Sequence, residues 1–292
     1  MDVTDSPGGL REGDEGFLFA LAHLAELDSL SRKRRLRVEP REEILRARDR
    51  ILAERSPRDR AILSERLLGL LDKAERLGLK MMHPGHPDYP LRLGTLATPP
   101  FFLFARGDAT VLDRPLVAVV GAREAGRESL LEVTTLAKNL SEAGLVVVSG
   151  LARGVDAAAH RGALEAMCPT VAVVGTGLDR VYPPENAALA REIESSGGLI
   201  LSEYPPGFGP DGWHFPHRNR IVAGLSLAVI AGAHRRRSGT YITARIALEE
   251  GRELLVFDRG ARGWEREGPA LLEGEGARRA NSALEVMESI LS

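Results

Sequence analysis

The chain has a single cysteine, Cys168, so no intrachain disulfide can form. Its place between a helical run and Pro169 suits a buried structural thiol better than a nucleophile. No charge dominates: 39 Lys and Arg stand against 41 Asp and Glu, a net −2, which excludes a uniformly basic coat for nucleic acid. Any anion site must therefore be a local patch. No apolar run approaches the ~18–20 residues of a membrane span, and the polar, acidic stretch Met1–Asp14 is no secretory leader. These absences describe a soluble, cytoplasmic protein without a membrane partner. There is no P-loop, no G-x-S-x-G elbow and no H-E-x-x-H. No His/Cys/Asp set has metal-ligand spacing, and no Ser/His/Asp set can be assembled locally. We therefore assign no catalytic residue, no metal and no cofactor.

What is present has three textures. Residues 1–15 are rich in Gly, Asp and Glu and are expected to be disordered. Residues 16–80 follow as a small all-helical domain. Phe17–Leu27 is apolar at helical spacing, Ser31–Arg37 is a basic run, and Pro40 opens a second helical pattern through Arg55. Ser56-Pro57 then supplies an N-cap and a first-turn proline for a third helix ending at Gly78. Met81–Asp113 is proline-punctuated yet too apolar for a solvated linker, with Phe101–Phe104 as a short strand or extended run.

From Pro115 the pattern alternates. Apolar strands at Leu116–Gly121, Leu145–Gly150, Thr170–Gly175, Leu199–Glu203, Leu227–Gly232 and Glu253–Phe257 are separated by amphipathic helices. One or two closing helices fill Pro269–Leu291. Uninterrupted apolar strands imply a mostly parallel sheet covered on both faces. The fold class is α/β, with an extended, doubly wound Rossmann-like domain over 81–292.

In such sheets ligands sit outside the carboxyl ends of the strands. The first strand ends in GAREAG, where Arg123 takes the place of the second glycine of a dinucleotide fingerprint, so a guanidinium follows Gly121 and suits a phosphate. An ion pair with a neighbouring acid is the other reading of Arg123. SGLARGVDAAAH sets Ser149, Gly150 and Gly154 around a turn. Asp156 and His160 lie four apart on one helix face and read as a hydrogen-bonded pair fixing the loop. Asn186 either caps the next helix or supports a neighbouring loop. WHFPHRNRIVAGLS, Trp213–Ser226, gathers Phe215, Arg218, Asn219 and Arg220 after a Phe-Pro corner that leads into a short apolar helix. Guanidiniums and an amide beside a ring suit a ligand carrying phosphates and bases; structural ion pairs and a core ring are the alternative. Ser238 and Thr243 at the start of another helix are phosphate contacts or mere caps. The Arg235–Arg237 triplet is a solvated loop or a backbone-contacting patch.

The ordered set YPLRL, PPFFLFARG, VAVVGAR, VVVSGLARGVDAAAH, VAVVGTGLDRVYPPEN, LILSEYPPG, HFPHRNRIVAGLS and SGTYITARIALEEGREL resembles the DprA (Smf) family of DNA-processing proteins over roughly Met82–Phe257. The resemblance implies an extended Rossmann fold, often preceded by a small SAM-like helical domain. It implies a protein that is not an enzyme but binds single-stranded DNA. It further implies loading of the RecA recombinase in natural transformation or recombination, and a homodimer. By matching motif, Arg123 contacts a phosphate and Gly150 and Gly154 shape the adjoining pocket. Phe215 stacks on a base, and Arg218 and Arg220 line the groove or support it. Family members commonly carry a lysine shortly before the aromatic, where this chain has Asp211-Gly212-Trp213-His214. With Gly232-Ala233 and Asp258-Arg259-Gly260 also departing from the family pattern, the chain reads as a divergent member. A protein that binds or hydrolyses a nucleotide-derived small molecule on a related Rossmann scaffold is the alternative.

Overall fold

The computed structural model describes residues 15–30 and 48–292. The expectations for residues 1–14 and for the basic run Ser31–Arg37 lie outside the described residues, as does the start of the pattern opened by Pro40. The chain divides into two compact units, Met1–Leu103 and Phe104–Ser292. The sequence reading puts its boundary near residue 80.

In the first unit, helix α1 spans Glu15–Leu30, residues 48–53 are helical, and α2 spans Pro57–Arg76. The Ser56 side chain caps α2 by accepting from the Asp59 amide, with Pro57 in the first turn. The helix ends on Gly78 at φ +64°, and the amides of Gly78 and Leu79 bond back to Glu75 and Ala74. This is a Schellman stop that a glycine satisfies without strain. α2 buries Leu63, Leu67, Leu71 and Ala74 along one stripe. A short strand, β1 (Lys80–Met82), follows. The proline-rich segment is packed, as its apolar content requires: Tyr89, Leu93, Leu96, Phe101 and Phe102 are buried, and the Tyr89 hydroxyl donates to Pro100 O at 2.7 Å.

The second unit is built on the strands β2 (Leu103–Gly107), β3 (Leu116–Val120), β4 (Val146–Ser149), β5 (Thr170–Val174), β6 (Leu199–Ser202), β7 (Ala228–Ala231), β8 (Glu253–Val256) and β9 (Arg278–Arg279). They lie in the order β2-β6-β5-β4-β3-β7-β8-β9. All neighbours pair parallel except β2, which runs antiparallel to β6. The helices are α3 (Arg127–Glu142), α4 (Val155–Glu165), α5 (Ala187–Ser195), α6 (His214–Leu225), α7 (Gly239–Glu249), α8 (Glu267–Gly274) and α9 (Ala283–Leu291). The inner strands are fully buried on both faces, which is why their sequences do not alternate. Each Val or Ile so buried stabilises the fold by about 1.5–3 kcal/mol before entropy is counted. Strand order reverses at β3, with β4 on one side and β7 on the other, so the loops leaving these strands diverge and open a crevice.

Two expectations change. The Phe-Pro pair is not a corner ahead of the helix: α6 begins at His214, so Phe215 and Pro216 form its first turn. Pro216 is tolerated there because first-turn amides have no intrahelical acceptor to lose. The closing segment is not purely helical, because Arg278–Arg279 pairs with β8 between α8 and α9. Two exposed arginines carry no strand signature in the sequence.

Candidate functional site

The loops at the switch point enclose an open cavity of about 720 Å³. Gly121 and Arg123 reach it from the turn after β3, Gly150 and Asp156 from the turn after β4 and the start of α4. Phe215, Arg218 and Asn219 come from α6, and Ser238 and Thr243 from the start of α7. Residues separated by more than a hundred positions thus share one wall. Of the remaining candidates, Ser149, Gly154, Arg220, His160 and Asn186 do not line it.

Backbone bonds pin the residue before Arg123. The Ala122 amide donates to Ala233 O at 2.8 Å, and Ala122 O accepts from the Val155 amide at 3.1 Å. Gly154, at φ +74°, lies under this turn, and a Cβ there would fall 2.2 Å from Ala122 O. Glycine is required both by conformation and by the approach of the chain. Arg123 itself is exposed, makes no ion pair among the described residues, and holds its guanidinium carbon 5.5 Å from the Phe215 ring centre. The ion-pair reading of Arg123 thus finds no described acid.

Phe215 is half-buried and leans on Tyr182, with ring centres 5.4 Å apart. A Cβ on Gly175 would come within 3.1 Å of it, so that glycine leaves the ring its place. Arg218 is 4% exposed; one Nη donates to Val173 O, while Nε has no hydrogen-bond partner among the described residues. Asp156 lies nearby, itself 6% exposed, with its carboxylate accepting from the Ala152 amide at 3.4 Å. Burial pushes the Arg218 guanidinium down from its ordinary value and pushes Asp156 up, and each charge opposes the other's shift. Gly150 sits between them: a Cβ there would lie 2.5 Å from an Arg218 Nη and from an Asp156 carboxylate oxygen. No contact of ion-pair length joins Arg218 to Asp156 among the described residues. A buried cation so incompletely matched is costly alone and is suited to a charge-assisted bond with an anion entering the cavity.

Arg220 has a different task. It is buried against Glu203, donating at 2.8 and 2.5 Å to the two carboxylate oxygens, with His217 Nδ1 3.3 Å from the same carboxylate. Burial works to raise Glu203; the charge of Arg220, helped by His217, overrides it and holds the carboxyl well below the usual range. This clasp ties α6 to the end of β6 and leaves Arg220 supporting the wall rather than lining it.

The Asp156–His160 pair does not form. The Thr170 hydroxyl commits its proton to Val147 O at 2.6 Å, so it accepts from His160 Nδ1 at 2.8 Å. Burial, then the charges of Arg218 and Arg161, lower His160 to about 3. One helix turn separates it from Asp156, but the ring points into the sheet, where a neutral imidazole satisfies a buried hydroxyl. Ser149 likewise spends its hydroxyl on Val119 O at 2.6 Å. Asn186 makes no cap; its amide donates to the carbonyl of Leu151 at 2.9 Å, steadying a residue held at φ +58°. Ser238 caps α7 through the Tyr241 amide at 3.2 Å, and Thr243 and Asn219 both donate to Gly239 O. Tyr182 and Trp264 line the cavity without having been singled out for it, and of the Arg235–Arg237 triplet Arg235 reaches the same wall. Trp213 instead packs beside Tyr204 and His217, ring centres 6.1 and 5.7 Å away.

Residues 80–291 match the model of the family described as DNA recombination-mediator protein A. The chain is 41% identical over 199 residues to the DNA processing protein DprA of Streptococcus pneumoniae, covering 68% of this chain and 70% of that one. It is 36% identical over 214 residues to DprA of Bacillus subtilis, covering 73% and 72%. Among solved structures, DprA of Streptococcus pneumoniae superposes with a TM-score of 0.72 at 33% identity, over 93% of this chain and 92% of that one. DNA processing protein A of Helicobacter pylori, whose structure bears on its unique single-stranded DNA binding mode, superposes with a TM-score of 0.65 at 33% identity, over 73% and 95%.

Proposed function

The chain belongs to the DNA recombination-mediator protein A (DprA) family, and from that premise we propose that it binds single-stranded DNA in the switch-point cavity and promotes RecA loading during DNA uptake, natural transformation or recombination. The observation that carries the DNA reading is the pairing of a buried, incompletely matched Arg218 with an exposed Arg123 beside the half-buried Phe215. Two guanidiniums take backbone phosphates, and the ring takes a base face, which every base offers regardless of sequence. Gly150 keeps the space between Arg218 and Asp156 clear, while Gly121 and Gly154 let the Arg123 turn pack closely on the start of α4; Asn219, Ser238 and Thr243 present polar edges at the α6–α7 side. Asp156, kept close to Arg218, sets the local charge. We read the protein as a binder and not an enzyme: Ser149 and His160, the conventional nucleophile and base among the candidates, are both committed to buried partners. A cytoplasmic homodimer fits the family resemblance. Among the described residues, no helix is long and apolar enough to cross a membrane.

The test is fluorescence anisotropy with a labelled oligodeoxythymidylate across a salt series. Arg123→Ala should weaken binding and flatten the salt slope by about one unit. Phe215→Ala should weaken it about tenfold without changing the slope. Unchanged affinity in both variants refutes the site. A RecA filament-nucleation assay then separates binding from mediation. A cavity of about 720 Å³ also suits a mononucleotide-sized ligand. A thermal shift with nucleotides but none with oligonucleotides would favour that second reading.

A further inference from the structure

The cavity has a second aromatic wall. Arg235, on the loop after β7, places its guanidinium carbon 4.3 Å from the centre of the Trp264 indole, and both residues line the same cavity as Phe215. A cation–π pair alone means little, since one occurs roughly every 70–80 residues. Here the backbone beneath both residues is tied down, and the cation has no acid partner among the described residues. Trp264 sits on a short turn, Gly263–Arg266, whose next residue, Glu265, is buried. The Glu265 carboxylate accepts from the Gly126 amide at 2.5 Å, the Ser129 hydroxyl at 3.2 Å and the Arg262 amide at 2.8 Å. That bolts the turn to the start of α3, directly after the Arg123 loop. On the other side the His234 amide donates to Glu265 O at 3.0 Å, and His234 O accepts from Gly268 at 2.9 Å, so the residue before Arg235 is stitched to the same turn. Arg235, Arg236 and Arg237 are exposed, and none makes an ion pair among the described residues.

We propose that Trp264 and Arg235 form a second nucleotide station, in which the indole stacks on one base of a single strand and Arg235 holds the adjoining phosphate. The inference rests on the DNA-binding reading and deepens it. The strand passes from the Phe215–Arg123 station to the Trp264–Arg235 station across one cavity, so two bases of the same strand are gripped. An indole with a guanidinium layered over it, neutralised by no acid among the described residues, is the chemistry that single-stranded nucleic acid rewards, and a prebuilt platform loses little entropy when a base settles on it.

The chain has 2 tryptophans, and Trp213 lies off the cavity, so a Trp213→Phe protein reports on Trp264 alone. Titrating it with an oligodeoxythymidylate of on the order of 16 nucleotides should quench the indole emission in step with binding. Trp264→Leu should weaken binding about tenfold, Trp264→Phe should recover most of that loss, and Arg235→Gln should lower the salt slope by about one unit. If the wild type binds and Phe215→Ala weakens it, yet the Trp264 emission does not move and Trp264→Leu binds normally, the second station is refuted while the DNA reading stands. If the wild type binds no single strand, both fall. Should Trp264→Leu fail to fold, the emission of the Trp213→Phe protein still decides.

Discussion

The Glu203–Arg220 clasp makes the sharpest physical prediction, because it assigns one arginine of the R-N-R sequence to the scaffold. Both groups are almost fully buried and share two hydrogen bonds. Glu203→Gln keeps the shape and one acceptor but leaves Arg220 as an uncompensated buried cation. Removing one partner of such a pair costs about 3–5 kcal/mol, against a total stability of about 5–15 kcal/mol. For a unit of this size the melting temperature should fall by about 10 °C. Replacing both residues, as Glu203→Leu with Arg220→Met, should recover much of the loss, since an apolar pair needs no charge compensation. The clasp also sets an acid dependence. The folded-state value of Glu203 is depressed while the unfolded chain titrates near 4.5. The stabilisation is therefore fully present above about pH 4.5 and drains away as pH falls toward the folded value. The doubly substituted protein should lack that component. Urea and thermal melts between neutral and acid pH measure all of this. A Glu203→Gln protein within about 1 kcal/mol of wild type, or a doubly substituted protein whose DNA-binding salt slope has dropped, would refute the scaffold assignment and return Arg220 to the ligand.

Gly154→Ala combines a left-handed backbone with a Cβ 2.2 Å from Ala122 O. It should cost on the order of 3 kcal/mol and displace the Arg123 turn, so single-strand affinity should fall with stability in the same variant; denaturant melts with anisotropy check both. His160, lowered to about 3, should stay neutral in the folded protein, its ring proton resonances showing no titration from neutral pH down to about pH 4. Because the unfolded imidazole titrates near 6.5, the unfolded state binds the extra proton first, and stability should decline as pH falls below that value.

The six apolar strands and their parallel sense were readable because burial on both faces writes an uninterrupted apolar run into each one, and the switch-point rule then ranks the loops without side-chain detail. The Arg123 turn was readable for the same reason, since it follows the first such run. What was not readable depends on contacts distant in sequence. Trp264 joins the cavity only because Glu265 reaches back to Gly126 and Ser129. No spacing in the chain encodes that. Asp156 and His160 lie one helix turn apart, a spacing that suggests a pair, but periodicity gives position on a helix and not the partner that wins. Thr170, on the neighbouring strand, claims the imidazole. β9 escaped notice because two exposed arginines pair by backbone alone.

The division of labour within H-R-N-R follows from where α6 begins. Once the helix starts at His214, Phe215, Arg218, Asn219 and Val222 fall at i, i+3, i+4 and i+7, one face, and all four line the cavity. Arg220 lies two residues beyond Arg218, about 200° around the helix at 3.6 residues per turn, and so meets Glu203 on the far side. Two arginines in one short motif therefore cannot both face the ligand while the segment is helical. Reading Phe215-Pro216 as a corner hides this, because it leaves the phase of the helix undefined. Placing the pair in the first turn fixes that phase, and with it which guanidinium is left incompletely partnered at the cavity and which is spent on holding the helix that presents it.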